Sequence, residues 1–210
     1  MKYKSIKLNK QLDSFLLIIK ESRRIVFLLC LFICGLIIGS FAVKNNDSLL
    51  SGQLEEIIKS AILKKEGMSF INAFCDSLIT DFVFLLLAFS LGLCAIGIPV
   101  ISVLPLIKGF SVGITGSFIY SEYSVKGVCY CLLVFFPAQI LMSAILIIAC
   151  NEGFYMSADL FSTLNNSASN EKNLIRMYLT RFGVLLLFTI AVSLLDGALT
   201  RLFSSFFAFG

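Results

Sequence analysis

The chain has 210 residues, of which 58% are hydrophobic and only 14% are charged. Soluble domains carry about 25% charged residues, so this composition indicates a membrane protein. The formal net charge of +4 is too small to indicate nucleic-acid binding, and the absence of histidine removes the commonest metal ligand and general base. We therefore expect no catalysis by this chain, no metal or other cofactor, and no nucleic-acid partner.

Five apolar segments, each near the ~20 residues that a membrane-spanning helix needs, follow one another along the chain. They predict an all-α polytopic membrane domain over residues 25–210, built as a bundle of about five transmembrane helices. The predicted spans are residues 25–43, 82–104, 105–123, 128–150 and 182–202. Two longer connections are predicted between them, a loop over 44–81 and a second loop over 151–181.

Residues 1–24 form a basic and amphipathic segment ahead of the first span. Its apolar residues recur at the spacing of one helical face, Leu12, Phe15, Leu16 and Ile19. This pattern predicts a helix that lies on the anionic cytoplasmic leaflet. With the N-terminus in the cytoplasm, eleven lysines and arginines fall inside and six outside, which favours this orientation. The loop over 44–81 is then outside, and the loop over 151–181 is cytoplasmic.

The predicted outer loop contains a second amphipathic pattern, formed by Leu54, Ile57 and Ile58. Ser51 is a suitable N-cap for a helix that begins there. Two interpretations remain open for its apolar face. It is either an interfacial helix on the membrane or a docking surface for a partner outside the membrane.

A long apolar run from Phe82 to Tyr120 carries a single charge, Lys108. An unbroken helix of this length is about twice as long as a bilayer core is thick, so the chain must turn inside the run. Gly97, Pro99 and Pro105 mark the predicted turn region. Pro105 suits the first turn of a new helix, which predicts that Lys108 snorkels to the cytoplasmic headgroups. A packing or partner contact and a translocation site remain alternatives for Lys108.

Glycine pairs occur in two of the predicted spans. Gly35 and Gly39 lie four apart in the first, and Gly109 and Gly113 lie four apart in the third, where Gly116 extends the pattern. Such positions allow helices to approach closely in lipid. The pattern does not distinguish packing within the chain from self-association.

Polar groups and a proline interrupt the last two spans. Pro137 predicts a kink in the fourth span. Asp196 and Arg201 are interpreted as interfacial residues of the fifth span, with a contact between Asp196 and another span as the alternative. A helix is also expected to begin near Asn170 and Glu171 and to continue into the fifth span.

Three stretches of sequence carry a family resemblance. Residues Gly92–Pro99 read GLCAIGIP, residues Lys108–Gly113 read KGFSVG, and residues Phe136–Gln139 read FPAQ. With the chain length, the basic N-terminus, the glycine-rich end of the first span and the five spans, they resemble the stage II sporulation protein M family.

The resemblance implies a non-enzymatic membrane scaffold that is required for forespore engulfment. Such a scaffold recruits and localises peptidoglycan-degrading sporulation proteins, which are membrane-anchored hydrolases, at the septal membrane. It implies a multi-pass location in the mother-cell membrane, with membrane lipid and a further copy as other possible contacts. The alternative function is a small-solute or ion transport component that uses the proline-broken region around Lys108. The absence of internal repeats and of recognisable paired intramembrane charges argues against transport.

Overall fold

The structure is a computed structural model, and it describes residues 23–43, 70–94, 97–165 and 171–204. These ranges contain five α-helices and no strand: α1 (Arg23–Val43), α2 (Phe70–Gly92), α3 (Ile98–Tyr130), α4 (Phe136–Asn165) and α5 (Glu171–Ser204). A π-helical turn, Cys131–Phe135, joins α3 to α4. The basic segment before Arg23 and the outer-loop positions Leu54, Ile57 and Ile58 lie outside the described residues.

Five stretches are long and apolar enough to cross a membrane: Arg23–Val43, Phe74–Gly92, Ile98–Ser121, Val128–Phe161 and Leu174–Leu202. An all-helical polytopic membrane protein with five spans is therefore confirmed. The predicted boundaries of several spans, however, differ from the observed helices.

The first difference concerns the outer loop, which was predicted to extend to Asp81. Helix α2 begins at Phe70, so Asp81 lies inside a membrane-spanning helix. The sequence interpretation ended the loop at Asp81 because the apolar run begins at Phe82. Inside the helix, the Asp81 carboxylate is paired with Lys108 of α3, so its charge is compensated within the bilayer.

The turn after α2 also lies earlier than predicted. Helix α3 begins at Ile98, so Pro99 occupies its first turn, where a missing N–H group does no harm. Pro105 lies inside α3 and is fully buried. The predicted helix start at Pro105 is thus wrong. A proline within a membrane helix is tolerated because neighbouring groups satisfy the backbone that it leaves free.

The chain reverses direction between the third and fourth spans. A Cβ atom built on Gly116 of α3 would lie 3.7 Å from Cζ of Phe136, at the start of α4. These two residues are twenty apart in sequence and would be about 30 Å apart in one straight helix. The chain therefore folds back between Gly116 and Phe136.

The predicted cytoplasmic loop over 151–181 is mostly helical. Helix α4 continues to Asn165, and α5 begins at Glu171, where a helix start was expected. The start at Glu171 is thus confirmed, whereas the extent of the predicted loop is wrong. Two polar residues at the start of this range lie within α4: Asn151 is buried, and Glu152 is paired with Arg181.

The main core lies between α2, α4 and α5, with contributions from α1 and α3. Its buried apolar residues include Leu28, Ala88, Ile101 and Cys150. An aromatic cluster, Phe89, Tyr178 and Phe182, closes one end of this core, with ring centroids 4.6 to 5.2 Å apart. The hydroxyl of Tyr178 donates a hydrogen bond of 3.0 Å to the carbonyl oxygen of Phe89. This bond fixes α5 against the end of α2.

Candidate functional site

The most distinctive feature inside the bundle is a buried ion pair between Asp81 of α2 and Lys108 of α3. Lys108 Nζ lies 2.7 Å from Asp81 Oδ1, and both side chains are only 6% exposed. The ammonium group also lies 5.4 Å from the centroid of the Phe84 ring. Since α3 begins ten residues before Lys108, this lysine lies about 15 Å along the helix from its first residue. The pair therefore belongs to the interior of the membrane domain.

This geometry corrects two sequence-based interpretations. Lys108 does not snorkel to the headgroups, because its ammonium group is buried and bonded to a carboxylate. A paired intramembrane charge is also present, although none was recognised in the sequence. Of the roles considered for Lys108, a packing contact within the bundle is the one that this geometry matches.

The ion pair offsets the cost of placing charges in lipid. A single charged side chain at the bilayer centre costs about 2.5–3.5 kcal/mol on insertion scales. The cavity beside the pair is lined in part by Met142 and Leu146 of α4 and Thr189 of α5, and its volume is about 10 Å³. That volume has room for at most one water molecule. The two charges are consequently neutralised by each other rather than by solvent.

A second polar contact lies between α2 and α5. Ser77 Oγ donates a hydrogen bond of 2.8 Å to Asp196 Oδ2, and both residues are buried. Ser77 and Asp81 are four residues apart and share a face of α2. On α5, Thr189, Ser193 and Asp196 recur at the spacing of one helical face and are all buried. The alternative considered for Asp196, a contact with another span, is the arrangement observed.

We call six of these buried residues the polar seam: Ser77, Asp81, Lys108, Thr189, Ser193 and Asp196. Two side-chain bonds lie within it, whereas Thr189 Oγ1 bonds to the carbonyl oxygen of Leu185 in its own helix and Ser193 Oγ has no hydrogen-bond partner among the described residues. The polar seam joins the second, third and fifth helices through side-chain contacts. Because each helix contributes at least one member, a rotation or a shift of any one helix would separate bonded groups inside an apolar environment. The polar seam therefore specifies how these three helices align.

Both glycine pairs meet at the contact between α1 and α3. A Cβ atom on Gly35 or Gly39 would collide with the backbone of α3, and one on Gly109 or Gly113 would collide with the backbone of α1. The facing backbone atoms belong to Leu106 and Phe110 on α3 and to Phe32 and Leu36 on α1. The two glycine pairs thus face each other within one chain. Gly116, one turn further, has more space around it.

The connection between α2 and α3 is fixed at both ends. The carbonyl oxygen of Gly97 accepts the N–H of Ile101 at 2.9 Å, which starts α3. A side chain on Gly97 would collide with the carbonyl oxygen of Leu91. Ser157 of α4 donates a hydrogen bond of 2.7 Å to the carbonyl oxygen of Cys94. The connection is therefore bonded to a helix that lies 63 residues later in the chain.

The irregularity near Pro137 takes the form of the π-helical turn rather than a simple kink. The N–H of Phe136 bonds to the carbonyl oxygen of Cys131, five residues earlier. A proline lacks an N–H group, and its ring clashes with the carbonyl oxygen four residues before it. The widened turn relieves this conflict before the helix continues, as is usual for π-helical insertions.

Sequence reasoning missed Asp81, Ser77 and Ser157 as structural residues. A signal for the first two was present, because Ser77 and Asp81 lie four apart in an otherwise apolar helix. Ser157 gave no comparable signal, since its partner is a backbone carbonyl. The predicted docking residues Leu54, Ile57 and Ile58 cannot be placed relative to the polar seam, because they lie outside the described residues.

Five membrane-length helices with charges neutralised inside the bundle define a polytopic α-helical membrane protein. The family model of stage II sporulation protein M matches residues 28–201, a range that includes part or all of every helix. The chain belongs to the stage II sporulation protein M family and is a multi-pass membrane protein of sporulation. No significant match was found among curated proteins or among solved structures.

Proposed function

We propose that the protein is a non-enzymatic integral membrane scaffold required for forespore engulfment. In this role it recruits and localises peptidoglycan-remodelling enzymes at the septal membrane. Family membership supports a role in sporulation. The observation that carries the scaffold role is the polar seam, in which buried charges bond to each other and align three helices.

A scaffold needs helices with a fixed mutual arrangement, so that its partners always meet the same surface. The ion pair fixes α2 against α3, and the hydrogen bond between Ser77 and Asp196 fixes α2 against α5. The glycine contact places α1 against α3 at backbone distance. Four of the five helices are therefore aligned by specific contacts, which supports a structural role.

The transport alternative requires polar groups that face an opening large enough for a solute. The principal buried charges instead face each other beside a cavity of about 10 Å³. The small volume beside the ion pair favours the scaffold over a permeation path. We accordingly assign Lys108 no role in translocation.

The partners proposed for the scaffold are membrane-anchored peptidoglycan hydrolases, which act outside the membrane. With the predicted orientation, the segment that contains Leu54, Ile57 and Ile58 faces the same side as these enzymes. The proposed location is the mother-cell membrane at the sporulation septum. The apolar face of this segment is the proposed docking surface.

Affinity purification of the tagged full-length protein from sporulating cells tests this function. We expect cell-wall hydrolases to co-purify, and we expect Leu54→Asn/Ile57→Asn/Ile58→Asn to lose them. The matched control, Glu55→Gln/Lys59→Gln, changes two charged positions of the same segment and should retain the hydrolases. Solute flux into liposomes that contain this chain alone, with no hydrolase recovered from cells, would contradict the scaffold role.

A further inference from the structure

A large cavity opens where α1, α3 and α4 come together near the first residue of α1. Its volume is about 580 Å³, and its lining residues are Arg23, Arg24, Phe27, Ile98, Ser102, Phe154 and Ala158. Both arginines stand at the start of the membrane span Arg23–Val43. In the predicted orientation, the cavity lies at the cytoplasmic surface of the membrane.

The lining of this cavity carries two positive charges, Arg23 and Arg24, and no acidic residue. Neither Arg23 nor Arg24 forms an ion pair with a described residue, and Arg24 Nε is buried without a hydrogen-bond acceptor among them. Glu152, one turn before Tyr155 on α4, is instead bonded to Arg181 at 2.6 Å. The charge of the cavity lining is therefore positive, which suits an anionic ligand.

Arg24 is held in place by an aromatic ring. Its guanidinium carbon lies 3.9 Å from the centroid of the Tyr155 ring, which is a cation–π contact. Stacking on the ring face leaves the edges of the guanidinium plane clear of the ring, and because Nε is buried, the terminal Nη groups are the donors for a phosphate, which can accept two parallel hydrogen bonds. The position of the arginine is thus set before any ligand binds.

The remaining walls of the cavity are apolar. Phe27 of α1, Ile98 of α3 and Phe154 of α4 each contribute to them. A free phosphate ion makes no favourable contact with apolar side chains. A phospholipid, in contrast, places its phosphate among basic side chains and its acyl chains along apolar ones. Basic pockets between membrane helices on the cytoplasmic side have the chemistry that binds acidic lipid headgroups.

We propose that this cavity is a binding site for an anionic phospholipid. The lipid phosphate lies between Arg23 and Arg24, and its acyl chains lie along Phe27, Ile98 and Phe154. The site involves none of the residues of the polar seam. It is also independent of the proposed recruitment of hydrolases, so either inference can fail alone.

Native mass spectrometry of the full-length protein in detergent tests the site. The protein is incubated with phosphatidylglycerol and phosphatidylcholine of identical acyl chains at equal concentration. Because each basic residue near an anionic lipid contributes about 1 kcal/mol, we expect at least about fivefold greater retention of phosphatidylglycerol. This comparison needs no variant. Equal retention of the two lipids would overturn the proposal.

Two variants then locate the bound lipid. Arg24→Gln should reduce retention of phosphatidylglycerol by about fivefold. The control, Arg176→Gln, removes one charge from an exposed position on α5 and should leave retention unchanged. The same loss in both variants would indicate a general charge effect and overturn the assigned site. Comparable thermal unfolding of the two proteins establishes that Arg24→Gln is folded.

Inorganic phosphate distinguishes the two possible sources of the anion. We expect millimolar phosphate to leave phosphatidylglycerol bound, because the acyl chains contribute contacts that the free ion cannot replace. Displacement of the lipid by phosphate at these concentrations would identify a simple anion site and overturn the assignment to a phospholipid.

Discussion

Lys108 Nζ and Asp81 Oδ1 lie 2.7 Å apart between two consecutive helices, and both side chains are almost fully buried. Neither residue is near the end of its helix, so the contact sets the register of α2 against α3. Helices in lipid have no hydrophobic driving force toward one another, and alignment depends on packing and polar contacts. The ion pair supplies such a contact where apolar side chains alone would permit sliding.

Asp81→Ala should destabilise the protein by about 3–5 kcal/mol, because it leaves the Lys108 ammonium group buried without its partner. Reversible unfolding in mixed micelles measures the loss. The exchanged double variant, Asp81→Lys/Lys108→Asp, should recover a large part of it, since opposite charges again face each other.

Arg181→Gln is the control for this experiment. It removes an ion pair of similar length, but the arginine side chain is 53% exposed. Solvent screening limits such pairs to about 1 kcal/mol or less. If Asp81→Ala costs no more than Arg181→Gln, the buried pair does not stabilise the bundle.

Asp196 should tolerate replacement by a residue that still accepts a hydrogen bond. Asp196→Asn keeps an acceptor for the Ser77 hydroxyl, whereas Asp196→Leu leaves that buried donor without it. An unsatisfied buried group costs about 1–3 kcal/mol, so the leucine variant should be the less stable of the two by that amount. Chemical unfolding of both variants measures the difference, and equal stabilities would contradict a bonding role for Asp196.

Gly113→Leu should separate α1 from α3, because its side chain would occupy the space of the Leu36 backbone. Cross-linking between Ser40→Cys and Ser117→Cys, which line one cavity between these helices, reports the separation. The experiment uses a background in which the seven native cysteines are replaced. We expect efficient cross-linking in the parent and a large loss in Gly113→Leu.

Gly183→Leu provides the matched control, since no atom lies within 4 Å of a Cβ built on Gly183. This substitution adds the same side chain to an open face of α5 and should leave cross-linking unchanged. Undiminished cross-linking in Gly113→Leu would show that the backbone contact is not required.

Ser157→Ala should loosen the connection between α2 and α3 by removing the bond to the carbonyl oxygen of Cys94. Loss of a hydrogen bond worth about 1.4 kcal/mol corresponds to about tenfold faster local opening. Amide hydrogen exchange of a peptide covering residues 93–97 measures this rate. Ser90→Ala is the control, because the Ser90 hydroxyl bonds only within its own helix, to the carbonyl oxygen of Leu86. Equal exchange in both variants would exclude a role for the Ser157 bond.

Composition and hydropathy predict the five spans well, because lipid requires long apolar helices whatever their packing. The same reasoning misplaced Asp81 and Lys108. Asp81 was assigned to the outer loop, and Lys108 was interpreted as a lone charge, which is expected near the membrane surface. Their pairing joins positions 27 residues apart through tertiary structure, which no local pattern reveals.

The positions of glycine and proline differed in how well they predicted the arrangement of the helices. The glycine pairs identified the helices that approach closely, because a residue without a side chain allows close approach whichever helix packs against it. Pro105 was misleading, since the cost of a proline depends on whether neighbouring groups satisfy the free carbonyl. That condition depends on the folded bundle and cannot be obtained from the position of the proline alone.

The short connection between α2 and α3 has a consequence for the biogenesis of the protein. Only residues 93–97 separate the two helices, so α3 follows α2 into the membrane almost immediately. Either helix alone would bring an uncompensated charge into lipid, at about 2.5–3.5 kcal/mol. If both partition together as a helical hairpin, the opposite charges meet during insertion. We therefore expect the translocation machinery to release these two helices as a single unit.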